Sequence, residues 1–199
     1  MADRSDHDKI ISAMELCCSA GYIIPCVALA YTLIDSLAWL LYGDMGLGSG
    51  KRFTMWVEQY LLPELPCECS ALDLYAARCA ILHTLSSESH LNRAGRAKAF
   101  VYSTGLSSSK IEEAASVLFP DDKTIGLDVN AFVAALRIAA AKFEKHVQSD
   151  AEMRRAVGTR FQKKYAFVTE DQLLGLARAL RGRRTEDRKG REGDSGTPT

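Results

Sequence analysis

Residues 22–42 read YIIPCVALAYTLIDSLAWLLY and form the most apolar stretch of the chain. The stretch is long enough for a helix that crosses a bilayer, yet Asp35 lies within it, Pro25 interrupts its start, and no basic residue follows it before Lys51. A helix that is apolar on nearly every face is also typical of the core of a soluble protein. We favour this core helix over a membrane span, so the rest of the fold must pack around it.

Helical patterns continue on both sides of this stretch. Residues 8–19 predict a short amphipathic helix, and residues 53–62 carry aromatic and aliphatic side chains at helical spacing. Pro63 ends the second segment because proline lacks the N–H that a helix requires. The four glycines of residues 43–50 predict a loop between the core helix and this segment.

Capping motifs mark the later helices. Ser70 with Asp73 has the pattern of a capping box and predicts a helix over residues 71–85. Three further helices are predicted over about 109–118, from 128 into the 150s, and over 170–181. In residues 98–104 aromatic and small side chains alternate, which predicts a short strand, whereas residues 121–127 are predicted to form a loop. The sequence therefore predicts an all-α helical bundle.

The chain divides into three predicted regions. Residues 1–105 are expected to form the helical bundle, and residues 106–181 an additional C-terminal helical region packed on it. Residues 182–199 contain no large apolar residue and are predicted to be disordered.

Composition excludes several classes of protein. The chain has 199 residues and is 47% hydrophobic, so it can bury a core without disulfides. Its 25 basic and 25 acidic residues cancel, which gives no support to a strongly basic nucleic-acid binder. The six cysteines lie mostly in apolar runs and no signal peptide precedes them, which favours a reduced, cytoplasmic protein. Cys67 and Cys69 are too close for ordinary zinc ligands, so neither a metal nor another cofactor is expected.

Two polar residues stand out in the helix predicted over residues 71–85, ALDLYAARCAILHTL. Arg78 and His83 lie among apolar and small side chains and need partners, because a buried unpaired charge is costly. Asp35 is the one charged residue of the core helix, and we expect it to contact Arg78 or His83. An ion pair of Arg78 with Asp35 or Asp73 that serves the fold alone is the structural alternative.

The Arg78-Cys-Ala-Ile-Leu-His83 segment, an Arg and a His separated by four residues, resembles the motif helix of the HEPN superfamily. The resemblance covers roughly residues 10–105. It implies a bundle of four to five helices, in which two copies of the motif meet at a homodimer interface and cleave RNA without metal. It also implies a toxin–antitoxin or phage-defence setting, with an antitoxin or regulatory protein as a further partner. Arg78 and His83, oriented by Asp35, are then the predicted catalytic residues.

The residue types suit this chemistry. RNA carries its own nucleophile, the 2′-hydroxyl, so cleavage needs a base, an acid and positive charge at the phosphate. An imidazole can supply the first two, and an arginine fork matches phosphate oxygens. A two-fold axis would place two copies of each group in one cleft.

A basic segment follows the motif helix. His90, Arg93, Arg96 and Lys98 are predicted to bind nucleic acid at the mouth of the site, and a solvated loop is the alternative. The basic cluster from Arg154 to Lys164 is predicted to be the exposed end of a helix.

A different class of function is also compatible with the sequence. A non-catalytic, HEPN-like helical module could bind a protein or nucleic-acid partner and use Arg78 and His83 to hold its core. A membrane-associated protein anchored by residues 22–42 is the third alternative; the prediction is that no membrane is involved.

Overall fold

The apolar stretch forms one long helix around which the other elements pack. The computed structural model describes residues 6–118, 124–161 and 174–175. Helix α2 (Ile23–Tyr42) contacts α1, α3, α4, α7 and α8, whose bounds follow. Its buried residues are Cys26, Val27, Ala30, Tyr31, Leu33, Ile34, Leu37, Ala38, Leu40 and Tyr42. Burial of a large aliphatic side chain contributes roughly 1.5–3 kcal/mol, so α2 supplies much of the stabilising core.

Helices make up most of the described chain, as predicted. In chain order, the remaining elements are α1 (Asp6–Ser19), α3 (Ser49–Trp56), α4 (Ala71–Thr84), α5 (His90–Arg93), β1 (Ala99–Ser103), α6 (Ser108–Leu118), β2 (Thr124–Asp128), α7 (Val129–Ser149) and α8 (Ala151–Phe161). A π-turn (Val57–Leu61) and a 3₁₀ turn (Leu62–Glu64) extend α3.

Within the described residues, α2 is the one helix long and apolar enough to cross a membrane. Half of the most apolar 18-residue segment of α2 is buried inside the protein, because other helices pack against it on several sides. This arrangement is compatible with the core helix of a soluble protein.

The two strands form a parallel pair joined through α6. Ala99 is opposite Thr124, and the register continues to Ser103 opposite Asp128. The predicted strand over 98–104 is confirmed, whereas the predicted loop over 121–127 is wrong from residue 124 onward.

A glycine explains the missed strand. Gly126 reads as a turn residue in the sequence, but in β2 it allows the close approach of α6. A Cβ atom at this position would lie 2.4 Å from the Ser108 carbonyl oxygen, so no larger residue fits there.

A helix boundary also differs from the prediction. The helix expected to run from residue 128 into the 150s stops at Ser149, and Asp150 is extended. The Asp150 carboxylate accepts hydrogen bonds from the backbone N–H groups of Glu152 and Met153, both at 2.9 Å. Asp150 thus caps α8, and the Met153 bond, the largest effect, helps to lower the pKa of the Asp150 carboxyl.

Most of the described chain belongs to one compact unit. Residues 1–162 form one compact unit, and the division follows residue 162. Residues 106–118 and 124–161 of the predicted C-terminal region belong to the same unit as residues 1–105. The predicted helix over 170–181 lies outside the described residues except for 174–175, which are helical. The predicted disordered tail, residues 182–199, lies outside them entirely.

Arg160 is buried, contrary to the prediction of an exposed basic helix end. Its side chain reaches the C-terminal end of α2, where the last carbonyl groups have no partner within the helix. Arg160 NH1 donates to the carbonyl oxygens of Leu40 and Leu41 at 2.5 and 3.0 Å, and Nε donates to Asp44 at 2.9 Å. Arg154 and Arg155 are exposed, as predicted.

Arg160→Met is expected to lower the free energy of unfolding by about 3 kcal/mol, because it leaves buried carbonyl groups without donors. For a domain of this size, that loss corresponds to a fall in Tm of roughly 6–12 °C. Arg155→Met, which removes an exposed arginine of the same helix, is the matched control. Equal thermal midpoints for the two variants would contradict the capping role of Arg160.

Candidate functional site

A capping box fixes the start of the motif helix. The Ser70 hydroxyl accepts from the Asp73 N–H at 3.1 Å, and the Asp73 carboxylate accepts from the Ser70 N–H at 2.8 Å. The second oxygen of Asp73 accepts from the Lys98 backbone N–H at 2.7 Å. The prediction of the capping box is confirmed, and Asp73 is not the ion-pair partner of Arg78.

Asp35 is that partner. Arg78 Nε donates to Asp35 Oδ2 at 2.7 Å, and Arg78 NH2 lies 2.7 Å from the same oxygen. The two side chains are 16% and 26% exposed, so water screens the pair only in part. The predicted contact between α2 and α4 is therefore confirmed for Arg78.

Arg78 also contacts His83. Arg78 NH1 lies 3.1 Å from His83 Nε2. Because a guanidinium N–H can only donate, Nε2 accepts, and a neutral His83 carries its proton on Nδ1. The two residues stand about 140° apart around the helix, and the long arginine side chain closes this gap. Arg78 thus links a carboxylate to an imidazole.

The surroundings keep Arg78 charged. Burial alone lowers the pKa of Arg78, but the hydrogen bond and the charge of Asp35 outweigh it and leave the pKa above its ordinary value. The guanidinium carbon also lies 5.9 Å from the centre of the Tyr75 ring, a cation–π distance. The site therefore holds a permanent positive charge beside an exposed histidine.

Helix α3 brings Arg52 to the site, a residue that the sequence did not single out. A cavity of about 220 Å³ is lined by Asp35, Ala38, Ser49, Arg52 and Arg78. The only signal for Arg52 in the sequence is the basic pair Lys51-Arg52 after the glycine-rich segment. Residues 43–50 were predicted to be a loop, whereas α3 already begins at Ser49.

A glycine allows α3 to approach the site this closely. A Cβ atom on Gly50 would lie 2.9 Å from the Tyr75 ring. The backbone of α3 therefore rests directly on the side chain that underlies Arg78.

The structure does not bring the predicted nucleic-acid-binding residues to this cavity. The four side chains, His90, Arg93, Arg96 and Lys98, are exposed, and none of them is among the residues that line it. The Lys98 backbone is tied to Asp73 at the start of α4, roughly 15 Å along the helix from His83.

Two further features of the described residues concern possible ligands. The cavity of about 560 Å³ beside α1 and α7 includes neither Arg78 nor His83 in its lining. In the part of the chain that the structure describes, no group of three or more His, Cys, Asp or Glu residues could hold a metal ion.

Comparison with known proteins adds no relative: no protein-family model, curated protein or solved structure matches the chain. The features that point to a function are the Arg78–His83 motif and its contact with Asp35.

Proposed function

We propose that this chain is a HEPN-like, metal-independent endoribonuclease that acts in the cytoplasm. The observation that carries the proposal is the linked set Asp35–Arg78–His83, in which one guanidinium contacts a carboxylate at 2.7 Å and an imidazole at 3.1 Å. A purely structural ion pair would need Asp35 and Arg78 alone. The exposed histidine at the end of the set is the group that a structural role does not require.

The reaction follows from the hydrogen bonds. A bound phosphate competes for Arg78 NH1 and so releases the lone pair of His83 Nε2. The freed Nε2 takes the proton of the 2′-hydroxyl, and O2′ attacks phosphorus. Arg78 stabilises the added negative charge on the phosphate oxygens. The bond from phosphorus to O5′ breaks and O5′ takes a proton, which leaves a 2′,3′-cyclic phosphate and a 5′-hydroxyl.

Asp35 is a positioning residue in this scheme. Its carboxylate holds Nε and NH2 of Arg78, which leaves NH1 directed at His83. A fixed guanidinium loses less freedom when substrate binds than a mobile one would.

The second proton transfer is the reason to propose a homodimer. One histidine that has just accepted a proton can return it, but a second His83 across a two-fold axis can protonate O5′ without waiting for that exchange. The face beside His83 suits an interface because Leu85 is 68% exposed directly after the motif helix.

Leu85→Asp is expected to convert a homodimer into a monomer and to reduce cleavage, because a charge would be buried in the interface. Val117→Asp is the control, since Val117 is 78% exposed on α6. Light scattering at micromolar concentration gives the mass of each variant. A wild-type protein that is monomeric under these conditions would contradict a site built from two copies of His83.

The toxin–antitoxin or phage-defence setting is part of the proposal, with an antitoxin or regulatory protein as partner. Expression in a bacterial host distinguishes it from a non-catalytic interaction module. The wild-type chain should slow growth, and His83→Ala should not. Equal growth with both chains would favour the interaction module.

A further inference from the structure

The cavity beside Arg78 contains a second guanidinium group whose role the ribonuclease scheme leaves open. Arg52 of α3 lines it together with Arg78 of α4 and Asp35 of α2. Its volume of about 220 Å³ is well above the roughly 10–15 Å³ that one water molecule needs. A phosphate group fits in this space with water around it.

The charges in the cavity do not balance. Asp35 forms the ion pair with Arg78, whereas Arg52 has no carboxylate partner within the described residues. The side chains that line the cavity thus carry two positive charges and one negative charge. The surplus belongs to Arg52, so the cavity favours an anion.

Arg52 is also held in place with donors to spare. One of its NH1 protons is donated to the Leu47 carbonyl oxygen, which anchors the guanidinium without neutralising it. A guanidinium has five N–H donors, so four remain on Arg52. The described bonds of Arg78, to Asp35, His83 and the Cys79 sulfur, use four of its five donors, so one remains. Several free donors around one small cavity match the oxygens of a phosphate.

We propose that this cavity binds a phosphate group of the RNA backbone next to the phosphate that is cut, with Arg52 as its main ligand. The assignment to a flanking phosphate rests on the proposed function and on one observation: His83 is not among the residues that line the cavity. A phosphate held in the cavity lies away from the general base His83. Arg78 borders both the cavity and the position of the phosphate that is cut. Arg52 therefore positions the strand and does not take part in the chemical step.

The first arm of the test measures binding without cleavage. A single-stranded oligonucleotide with 2′-O-methyl groups lacks the nucleophile and cannot be cut. We expect Arg52→Gln to raise its Kd about tenfold, the effect of one charge-assisted contact. The slope of log Kd against log salt should also fall by about 0.7.

Two matched variants control this arm. Lys51→Gln removes the same charge from the neighbouring exposed residue, which does not line the cavity, and should change Kd less than twofold. Arg52→Lys keeps the charge and should recover part of the affinity. Thermal midpoints of all variants show whether the fold is intact; if Arg52→Gln does not fold, Arg52→Lys must still bind more weakly than wild type.

The second arm separates the two sources of a phosphate. Inorganic phosphate is titrated at constant ionic strength, and the Nε–H NMR signal that is missing in Arg52→Gln is followed. A shift of this signal together with the loss of oligonucleotide affinity supports a backbone phosphate. A shift with unchanged oligonucleotide affinity assigns the cavity to free phosphate and overturns the proposal.

The third arm uses substrates of different length. A dinucleoside monophosphate contains the scissile phosphate alone, so Arg52→Gln should raise KM for a longer RNA by more than it changes cleavage of the dinucleoside monophosphate. If wild type cleaves both and Arg52→Gln alters neither binding nor KM, the subsite is wrong and the ribonuclease stands. If Arg52→Gln weakens binding but wild type cleaves nothing, the ribonuclease fails and the phosphate site stands.

Discussion

Replacing His83 with alanine is expected to reduce RNA cleavage by about 10²–10⁴-fold, the usual effect of losing a general base. The fold should remain intact, because His83 is exposed and its described side-chain contact is the single hydrogen bond from Arg78. Arg78 keeps Asp35 in this variant, so no buried charge loses its partner. Stability should therefore change by no more than about 0.5 kcal/mol.

His90→Ala is the matched control for this variant. It removes an exposed histidine that lies six residues beyond the end of α4 and does not line the cavity beside Arg78, and it should leave kcat unchanged. Rates are measured on purified proteins whose thermal midpoints agree with that of wild type. A folded His83→Ala protein that cleaves RNA at the wild-type rate would contradict the assignment of the base.

Asp35→Ala is expected to lower the free energy of unfolding by about 3 kcal/mol. The substitution leaves the Arg78 guanidinium, which is 16% exposed, without its counter-charge. Removing one partner of a largely buried ion pair destabilises the fold by more than the intact pair stabilises it. Cleavage should also fall, because Arg78 is no longer held with NH1 toward His83. Urea unfolding measures the first effect and a cleavage assay the second.

A double variant separates the two effects. Asp35→Ala combined with Arg78→Met removes both charges, so most of the lost stability should return while cleavage stays absent. Glu58→Ala, at an exposed carboxylate, controls for the loss of negative charge. Additive losses of stability in the double variant would show that the two side chains do not interact.

Local patterns in the sequence were enough to predict the core helix and the motif helix. The apolar run around Asp35 had to be buried, and a buried carboxylate needs a cation, which made Arg78 a natural partner. Likewise, Ser70 and Asp73 lie three residues apart, so their reciprocal hydrogen bonds could be predicted without any tertiary information.

Features that depend on distant neighbours could not be predicted in this way. Gly126 is part of a strand because α6 packs on it, and Arg160 is buried because α8 meets the end of α2. Arg52 reaches the cavity because Gly50 lets α3 rest on Tyr75. In each case the residue type was ambiguous, and the packing of another element decided its role.

The most direct test of the central claim is one cleavage experiment in EDTA. Wild-type protein is incubated with a single-stranded RNA, and with the same strand carrying one 2′-deoxy nucleotide at the mapped cut; His83→Ala is run beside it. We predict that wild type cuts the RNA to leave a 2′,3′-cyclic phosphate end, spares the 2′-deoxy site, and loses this activity in His83→Ala. Cleavage that requires a metal ion, that persists at the 2′-deoxy position, or that is absent from folded wild-type dimers would contradict the account.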